Sequence, residues 1–317
     1  MFLKNKKILV TGGNGFVGQS VVRELLRRGA KSRSIFTPRS KEFDLREASD
    51  AGKAVKGKNI IIHLAAITGG IEFHRDNPGV ALYDNALINL NILEAARKEG
   101  AEKFVGLGSA AIYYKNDPLP YHEECFGRNI DLDSLHTPYN FAKLLLLVSG
   151  QAYRKQYGIN VIYLVPTNMY GPGDTGKTGY VIPSLIKRIL EAKEAKKPTL
   201  EVWGTGKVTR DFLYVHDAAS GIVSALFKYD KPEPVNLASG KEVSMKELAE
   251  TLCRLMQFNG KIVWLTDKPE GEPRRVLDTT RAKKEFGFLA KTSLEAGLRK
   301  TIEWYKKTYE GESFAVL

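Results

Sequence analysis

The chain of 317 residues predicts a doubly wound α/β fold, a parallel sheet covered by helices on both faces, followed by a smaller α/β carboxy-terminal lobe. Three observations carry that expectation. The stretch KKILV is a short apolar strand that runs straight into the glycine-rich turn TGGNGFVG and then into the amphipathic helix QSVVRELLRRGA. Apolar runs of strand length alternate with helical stretches as far as about residue 170. Beyond that point the pattern changes to segments punctuated by Pro and Gly.

Taken in order, residues 6–10 form the first strand, KSRSIFTPRS offers a second, NIIIHLAAI a third, EKFVGLGSAA a fourth and NVIYLVPTNMYG a fifth. Helical patterns such as LYDNALINLNILEAARKEG lie between them, and strands that alternate with helices pair in parallel through right-handed crossovers. Residues 1–170 are expected to form the dinucleotide-binding domain and residues 171–317 mainly a substrate-binding lobe. Segments near 201–240 (EVW, RDFLYVHDAASGIVSAL, PVNLAS) are candidates to return to the first domain. The lobe carries loops such as YGPGDTGKTGY and DKPEGEPRRVLD between the helices VIPSLIKRILEAKE and MKELAETLCRLM. Internal repeats and low-complexity tracts are absent.

Composition excludes several classes of function. With 43% hydrophobic residues the chain can bury a full core. MFLKNKKILV reads as a basic lead into a strand, and no apolar run reaches membrane-spanning length, so a cytoplasmic protein with no membrane partner is expected. Cys125 and Cys253 make no disulfide framework, and the five histidines show no metal-ligand spacing with them, so no metal is expected. The net charge of +12 is dispersed over KNKK, KAVKGK and EAKEAKKP, without the aromatic-interleaved basic stripe of a nucleic-acid binder. The same balance attracts an acidic small substrate such as a nucleotide diphosphate sugar.

Gly12, Gly15 and Gly18 fall three apart between strand and helix. Bare backbone there can approach a pyrophosphate, and the helix amino terminus offers unpaired N–H groups and a positive dipole end, the Rossmann mode of dinucleotide binding. An acidic residue about 20 positions further on would select NAD. This chain has Thr37, Pro38, Arg39, Ser40 and Lys41 there, a set that suits a 2′-phosphate, so NADP(H) is expected, with NAD as the alternative because Glu42 is close. Asp44 is placed to meet the adenine amino group.

TPYNFAK holds Tyr139 and Lys143 one turn apart on the same helix face. A nearby ammonium favours the phenolate and is expected to lower the tyrosine pKa, so that the phenol can trade a proton with a hydroxyl or carbonyl. Ser109, at the end of the fourth strand, can hydrogen-bond the same oxygen.

With the glycine turn, this constellation resembles the extended short-chain dehydrogenase/reductases, in their nucleotide-sugar epimerase/dehydratase branch. The resemblance implies Ser109, Tyr139 and Lys143 as the catalytic triad, with Asn85 supporting the lysine through water. It also implies Phe16, Val17, Leu64, Ala65 and Ala66 as further walls of the cofactor site. Within the branch the chain is most similar to the GDP-fucose synthases, in AAITGGI, VPTNMYGP, VIPSLIKR, VWGTGKVTRDFLYVHD and GEPRRVLDTTRAKKEFGF. That likeness implies a nucleotide-sugar pocket of Asn168, Tyr180, Val181, Lys187, Trp203, Arg210 and Arg275, with Lys187 and Arg210 on the diphosphate. It also implies a homodimer paired through the helices that contain Asn85 and Tyr139.

Two positions depart from the pattern. GDP-fucose synthases move stereocentres at C3 and C5 with a cysteine and a histidine, and the matching positions here are Ala111 and Tyr180. Dehydratases of the branch place Asp and Glu where this chain has Ala110 and Ala111. Alanine moves no proton, and a second tyrosine is a poor substitute for histidine near neutral pH. What survives suits hydride transfer at C4. The leading expectation is NADPH-dependent reduction of a nucleotide-linked, GDP-type 4-keto sugar without C3/C5 epimerisation. A C4-epimerase with tightly held NAD(P) comes next, then a GDP-fucose synthase-type reaction with the base supplied by Tyr113, Tyr114, His122, Cys125 or His136. The non-enzymatic alternative, a dinucleotide-sensing regulator, leaves the intact triad unexplained.

Overall fold

The computed structural model describes residues 3–175, 179–268 and 270–309, so residues 176–178 of the loop YGPGDTGKTGY lie outside the described residues. The first half is built from β1 (Ile8–Thr11), α1 (Phe16–Arg27), β2 (Ile35–Phe36), α2 (Ala48–Val55), β3 (Ile60–His63), α3 (Ile71–Asp76), α4 (Pro78–Lys98), β4 (Lys103–Leu107), α5 (Thr137–Tyr157) and β5 (Asn160–Pro166). Then follow β6 (Asn168–Tyr170), α6 (Val181–Glu194), β7 (Thr199–Trp203), β8 (Thr209–Tyr214), α7 (Val215–Lys228), β9 (Val235–Leu237), β10 (Glu242–Ser244), α8 (Met245–Leu255), β11 (Lys261–Leu265), α9 (Thr280–Phe286) and α10 (Leu294–Tyr309).

Six parallel strands form the main sheet in the order β2-β1-β3-β4-β5-β9. The strands β1, β3 and β4 are buried along their whole length, because helices cover both faces of a parallel sheet. One face packs Leu9, Ile61, Phe104 and Val161 against α2, α4 and α5. The other packs Ile8, Ile62, Val105 and Ile162 against α1 and α7. A second core around Tyr170, Ile186, Leu252 and Leu298 joins α6, α8 and α10 to the three-stranded sheet β10-β8-β6. The parallel pair β11-β7 completes the lobe.

The segment KSRSIFTPRS contributes only Ile35 and Phe36 to the sheet, as an edge strand beside Ile8 and Leu9. Pro38 has no N–H to continue the ladder, and Thr37 is held over Gly13, where any Cβ would collide with its methyl group. The run NVIYLVPTNMYG divides between two sheets at Pro166, which lacks a donor. The turn is held by Thr167, whose N–H donates to the Leu237 carbonyl (3.1 Å) and whose hydroxyl donates to the Asp211 carbonyl (2.9 Å). Of the stretch near 201–240, α7 and β9 lie with the main sheet, whereas β7 and β8 belong to the smaller sheets. Among the described residues no helix is long and apolar enough to cross a membrane, and no group of three or more His, Cys, Asp or Glu could hold a metal ion. Cys125 and Cys253 are free thiols.

Beneath the strand ends runs a buried hydrogen-bond chain. The Thr11 hydroxyl oxygen accepts from the N–H groups of Leu64 (3.1 Å) and Ala65 (3.2 Å), so its own proton points to His63 Nδ1, 2.7 Å away. His63 Nε2–H then donates to Asn89 Oδ1 (3.0 Å), and Asn89 Nδ2 donates to the Ala142 carbonyl (2.8 Å). Every member has one role, which fixes His63 as the neutral Nε2–H tautomer. Burial, with the Lys143 charge nearby, pushes its pKa down to about 3.

A histidine held neutral in the fold and free to protonate when unfolded removes stability as pH falls below 6.5 and on toward 3. Urea titrations should therefore show a loss of roughly 2 kcal/mol attributable to His63 between pH 7 and pH 5. The ring NMR signals of His63 should show no titration above pH 4. A His63 ring that titrates near its ordinary value contradicts the assigned network.

Candidate active site

A single cavity of about 2350 Å³ runs from the glycine turn after β1 across the strand ends to the lobe. Sites for one drug-sized ligand span roughly 300–1,000 Å³, so this space accommodates two ligands side by side.

At the sheet end, Gly12 takes a left-handed φ of +66° and lies so close to the third-strand loop that a Cβ would come within 2.9 Å of Ala65 N. The Gly15 N–H donates back to the Gly12 carbonyl (2.9 Å), closing the turn. A Cβ at Gly18 would collide with that same carbonyl oxygen, so α1 can approach β1 only with glycine there. No side chain caps α1 and no acidic residue stands in its first turn, which leaves its amino-terminal N–H groups facing the cavity. Gly12, Gly15, Phe16, Val17, Gly18, Leu64, Ala65 and Ala66 all line this region, and these residues fit a dinucleotide pyrophosphate. Arg39, Ser40 and Lys41 line the cavity beyond β2, with donors suited to a phosphate monoester. Asp44 lines it too, but its carboxylate is held by Arg46 (2.6 Å), which keeps it below the usual carboxylate range and also reaches Asp84 (3.1 Å). Asp44 thus meets the cavity as half of an ion pair, and Arg46, two residues on, is a lining cation that the motif reading missed.

Ser109 lies two residues past the end of β4 and caps a short 3₁₀ turn, Ala110–Ile112, by accepting from the Ala111 N–H (3.2 Å). Opposite stands α5, which begins at Thr137 with a proline in its first turn, a position that tolerates a missing N–H. It brings Tyr139 and Lys143 into the same cavity as Ser109. The expected lowering of the Tyr139 pKa is corrected here. Burial raises it, Tyr180 adds to the rise, and only a hydrogen bond with the Thr68 side chain opposes it. Lys143 Nζ lies 5.6 Å from the Tyr139 ring centre, and burial pushes the lysine down to about 8. Desolvation therefore sets the direction of the Tyr139 shift, and the phenol stays protonated. Asn85 is a second correction. Its amide clamps the loop by accepting from the Ile67 N–H (2.9 Å) and donating to the carbonyls of Ile67 and Ala81 (both 2.8 Å). Asn89 is the asparagine that reaches the lysine's own helix turn.

At position 111 there is only a methyl group, and the Ala111 carbonyl is taken by Asn140 Nδ2 (2.7 Å). Of the proposed substitutes for the missing base, Tyr114, His122 and Cys125 do not line the cavity. Tyr113 does, but it is buried and donates to Asn236 Oδ1 (2.7 Å). His136 lines the cavity at the amino terminus of α5. Its ring meets that of His74 edge-on with centroids 4.7 Å apart, and His74 meets Tyr139 at 5.3 Å. Sequence reasoning missed His74, which sits on the short α3 with no motif to mark it.

At the lobe end, Asn168, Tyr180, Val181, Trp203, Arg210 and Arg275 line the cavity, and Lys187 does not. Helix periodicity gives the reason. Val181, Ser184, Leu185 and Arg188 form the cavity-facing stripe of α6, and Lys187 stands off it with its ammonium 3.9 Å from Glu191. Arg188 takes its place. Trp203 is 48% exposed at the rim, so it is no core residue. Arg210 donates to the carbonyls of Thr209 (2.7 Å) and Glu272 (2.6 Å). Arg275 pairs with the Glu272 carboxylate (2.5 Å), which also accepts from Tyr121. Burial first, then the neighbouring Arg275, lower the Arg210 pKa to about 10, which marks a place where an anion is favoured.

Residues 8–238 match the model of the NAD dependent epimerase/dehydratase family, and the chain belongs to that family. It is 37% identical over 305 residues to a GDP-L-fucose synthase of Sinorhizobium fredii, covering 95% of this chain and 96% of that protein. Among solved structures it is similar to a GDP-6-OMe-4-keto-L-xylo-heptose reductase from C. jejuni, with a TM-score of 0.88, 26% identity and coverage of 96% and 98%. It is also similar to a GDP-mannoheptose C4 reductase from Campylobacter jejuni with NADP bound, with a TM-score of 0.86, 26% identity and coverage of 95% and 98%. The chain is thus an NAD(P)-dependent sugar-nucleotide enzyme of the extended short-chain dehydrogenase/reductase type.

Gly18→Ala should weaken dinucleotide binding at least tenfold, because α1 must move away from the Gly12 carbonyl. Titration of the variant with NADPH, followed by fluorescence or calorimetry, checks this. Unchanged affinity would mean that the turn does not hold the pyrophosphate.

Proposed function

We propose that this member of the NAD dependent epimerase/dehydratase family reduces the C4 ketone of a GDP-linked 4-keto sugar with NADPH and leaves C3 and C5 as it receives them. The main-sheet half would hold the dinucleotide and the lobe the nucleotide sugar. The observation that carries the reading is the pairing of an intact Ser109, Tyr139 and Lys143 with a bare methyl group at Ala111. Tyr180 stands where the relatives' second exchanging group would act, 39% exposed and with its pKa raised, first by burial. The choice of NADPH over NADH is supported by Arg39, Ser40 and Lys41 beside the cavity, and by the NADP bound in the similar heptose reductase.

When bound, the nicotinamide supplies the hydride. The chain's own residues do the rest. Tyr139, kept neutral by burial, is poised to give its proton to O4, and a raised pKa suits an acid that must arrive protonated. Ser109 can hydrogen-bond the same oxygen, and Lys143 places a positive charge beside the site while it remains ionised. Arg210, Arg275 and Arg188 offer the diphosphate its partners.

A second copy of the chain is proposed on the outer faces of α4 and α5, where Tyr83, Leu90, Phe141 and Val148 are exposed. Sedimentation at micromolar concentration should give a dimer, and a monomer would refute this pairing.

Absorbance at the reduced nicotinamide band should fall by one NADPH per GDP-4-keto-6-deoxymannose converted. Tyr139→Phe should lower kcat about 10³-fold. The rate should hold steady below pH 8 and decline as pH rises through about 8, where Lys143 loses its charge. No reduction of the keto sugar, with inversion at C4 of a GDP-sugar that carries a C4 hydroxyl and no net NADPH loss, would point instead to a C4-epimerase.

A further inference from the structure

A carboxylate stands at the cationic end of the cavity. Glu272 lines that end in contact with both Arg210 and Arg275, and its side chain is only 10% exposed. An anion at a seat for another anion opposes binding by its charge, so its presence needs a reason. Its hydrogen bonds supply one. Glu272 Oε2 accepts from both Nε (2.9 Å) and Nη2 (2.5 Å) of Arg275, which fixes one edge of the guanidinium. Arg275 Nη1 has no protein partner among the described residues. The Glu272 backbone carbonyl accepts from Arg210 Nη1 (2.6 Å), which also donates to the Thr209 carbonyl (2.7 Å). Among the described residues Arg210 Nε and Nη2 are left without a protein partner. Both guanidinium groups are thus held by Glu272, and both keep donors to spare. The adjacent Arg274 is the contrast: it pairs with Glu242 (2.6 Å), is 58% exposed and does not line the cavity.

Glu272 is itself braced. Its Oε1 accepts from the hydroxyl of Tyr121, which is fully buried and lies outside the cavity lining. The Tyr121 N–H donates to the Val276 carbonyl (2.8 Å), and its own carbonyl accepts from the Asp278 N–H (3.0 Å) and from Asn236 Nδ2 (2.9 Å). Asn236 belongs to β9 of the main sheet. Its Oδ1 accepts from Tyr113, whose ring stacks on that of Tyr121 with centroids 5.0 Å apart. The phenol is therefore a post rooted in the main sheet that reaches Glu272 from behind the site. Burial first, then Glu272, raise the Tyr121 pKa, so the phenol stays the donor of this bond.

We infer that Glu272, braced by Tyr121, is a positioning residue that holds the Arg275 guanidinium ready for the diphosphate of the nucleotide sugar. The inference rests on the reading that seats the diphosphate at this end of the cavity, and deepens it by naming what orders the seat. A flexible arginine loses rotamer freedom when it grips an anion, and one ordered beforehand does not lose it on binding. The charge of Glu272 works in the opposite direction. The sign of the effect when Glu272 is replaced decides between the two.

The test is calorimetric titration of the full chain with GDP, and separately with NADPH. Glu272→Ala removes brace and charge together, and should weaken GDP binding about tenfold. Glu272→Gln keeps an acceptor for Arg275 and a partner for the Tyr121 hydroxyl while losing the charge, so it should bind GDP at least as tightly as the wild type. Tyr121→Phe alters no charge and should weaken GDP binding about threefold. In an Arg275→Ala background, Glu272→Ala should bring no further loss. NADPH affinity should stay at the wild-type value in the Glu272 and Tyr121 variants.

Unchanged or tighter GDP binding in Glu272→Ala overturns the inference, because Glu272 is then a counter-charge and nothing more. Equal losses in Glu272→Ala and Glu272→Gln also overturn it, as does a matching loss of NADPH affinity, since these are the marks of a support for the fold. A loss that persists in the Arg275→Ala background does the same. If the keto sugar is not reduced, the C4-reduction reading fails on its own, and the pattern of GDP affinities still decides the inference. A wild type that binds no GDP overturns the seat and the inference together.

Discussion

The chain of hydrogen bonds from Thr11 through His63 and Asn89 to Ala142 is the constraint on which the rest of the site depends. It joins the end of β1, the end of β3, the middle of α4 and the turn of α5 that carries Lys143. The glycine turn and the helix that carries Tyr139 and Lys143 are consequently placed by one buried network. Such a network is stable only when complete, since an unpaired buried member costs about as much as the bond contributes, or more. This explains a histidine in the centre of the main sheet: it is a rigid, two-ended connector, and its neutrality is part of the architecture.

Burial governs the chemistry in the same way. Tyr139 and Lys143 are both shifted toward their neutral forms, one upward and the other downward, and desolvation is the leading cause in each. An acid for ketone reduction needs that state of the phenol. At the far end of the cavity Arg210 and Arg275 are crowded together, with Glu272 offsetting part of their charge. The cavity is thus polarised, with a protonated phenol at one end and a cationic seat for an anion at the other.

Much of this was legible in the sequence. Gly12 and Gly18 announced a backbone approach that the close contacts with Ala65 and Gly12 require. The Tyr139 and Lys143 spacing survived because a helix fixes which side chains share a face. What escaped was set by tertiary surroundings. The direction of the Tyr139 pKa shift depends on burial, which spacing does not report. Asn85 was assigned to the lysine by likeness, but its amide is taken by Ile67 and by the Ala81 carbonyl of its own helix. Lys187 and Arg188 differ by one position and hence by 100° around α6, a distinction that needs the helix phase. KSRSIFTPRS pairs only at Ile35 and Phe36, because Pro38 has no N–H to carry the ladder on. His74 and His136 come from different elements, and nothing in their spacing announces that the fold brings them together.

The measurement that tests the central claim most directly is product NMR after reduction of GDP-4-keto-6-deoxymannose by NADPH in deuterated water. The account predicts one C4 alcohol with protium retained at C3 and C5, because Ala111 has no proton to exchange and Tyr139 acts only on O4. Deuterium at C3 or C5 would contradict it, and would mean that a group in this cavity performs the exchange that the missing cysteine and histidine carry out in the relatives.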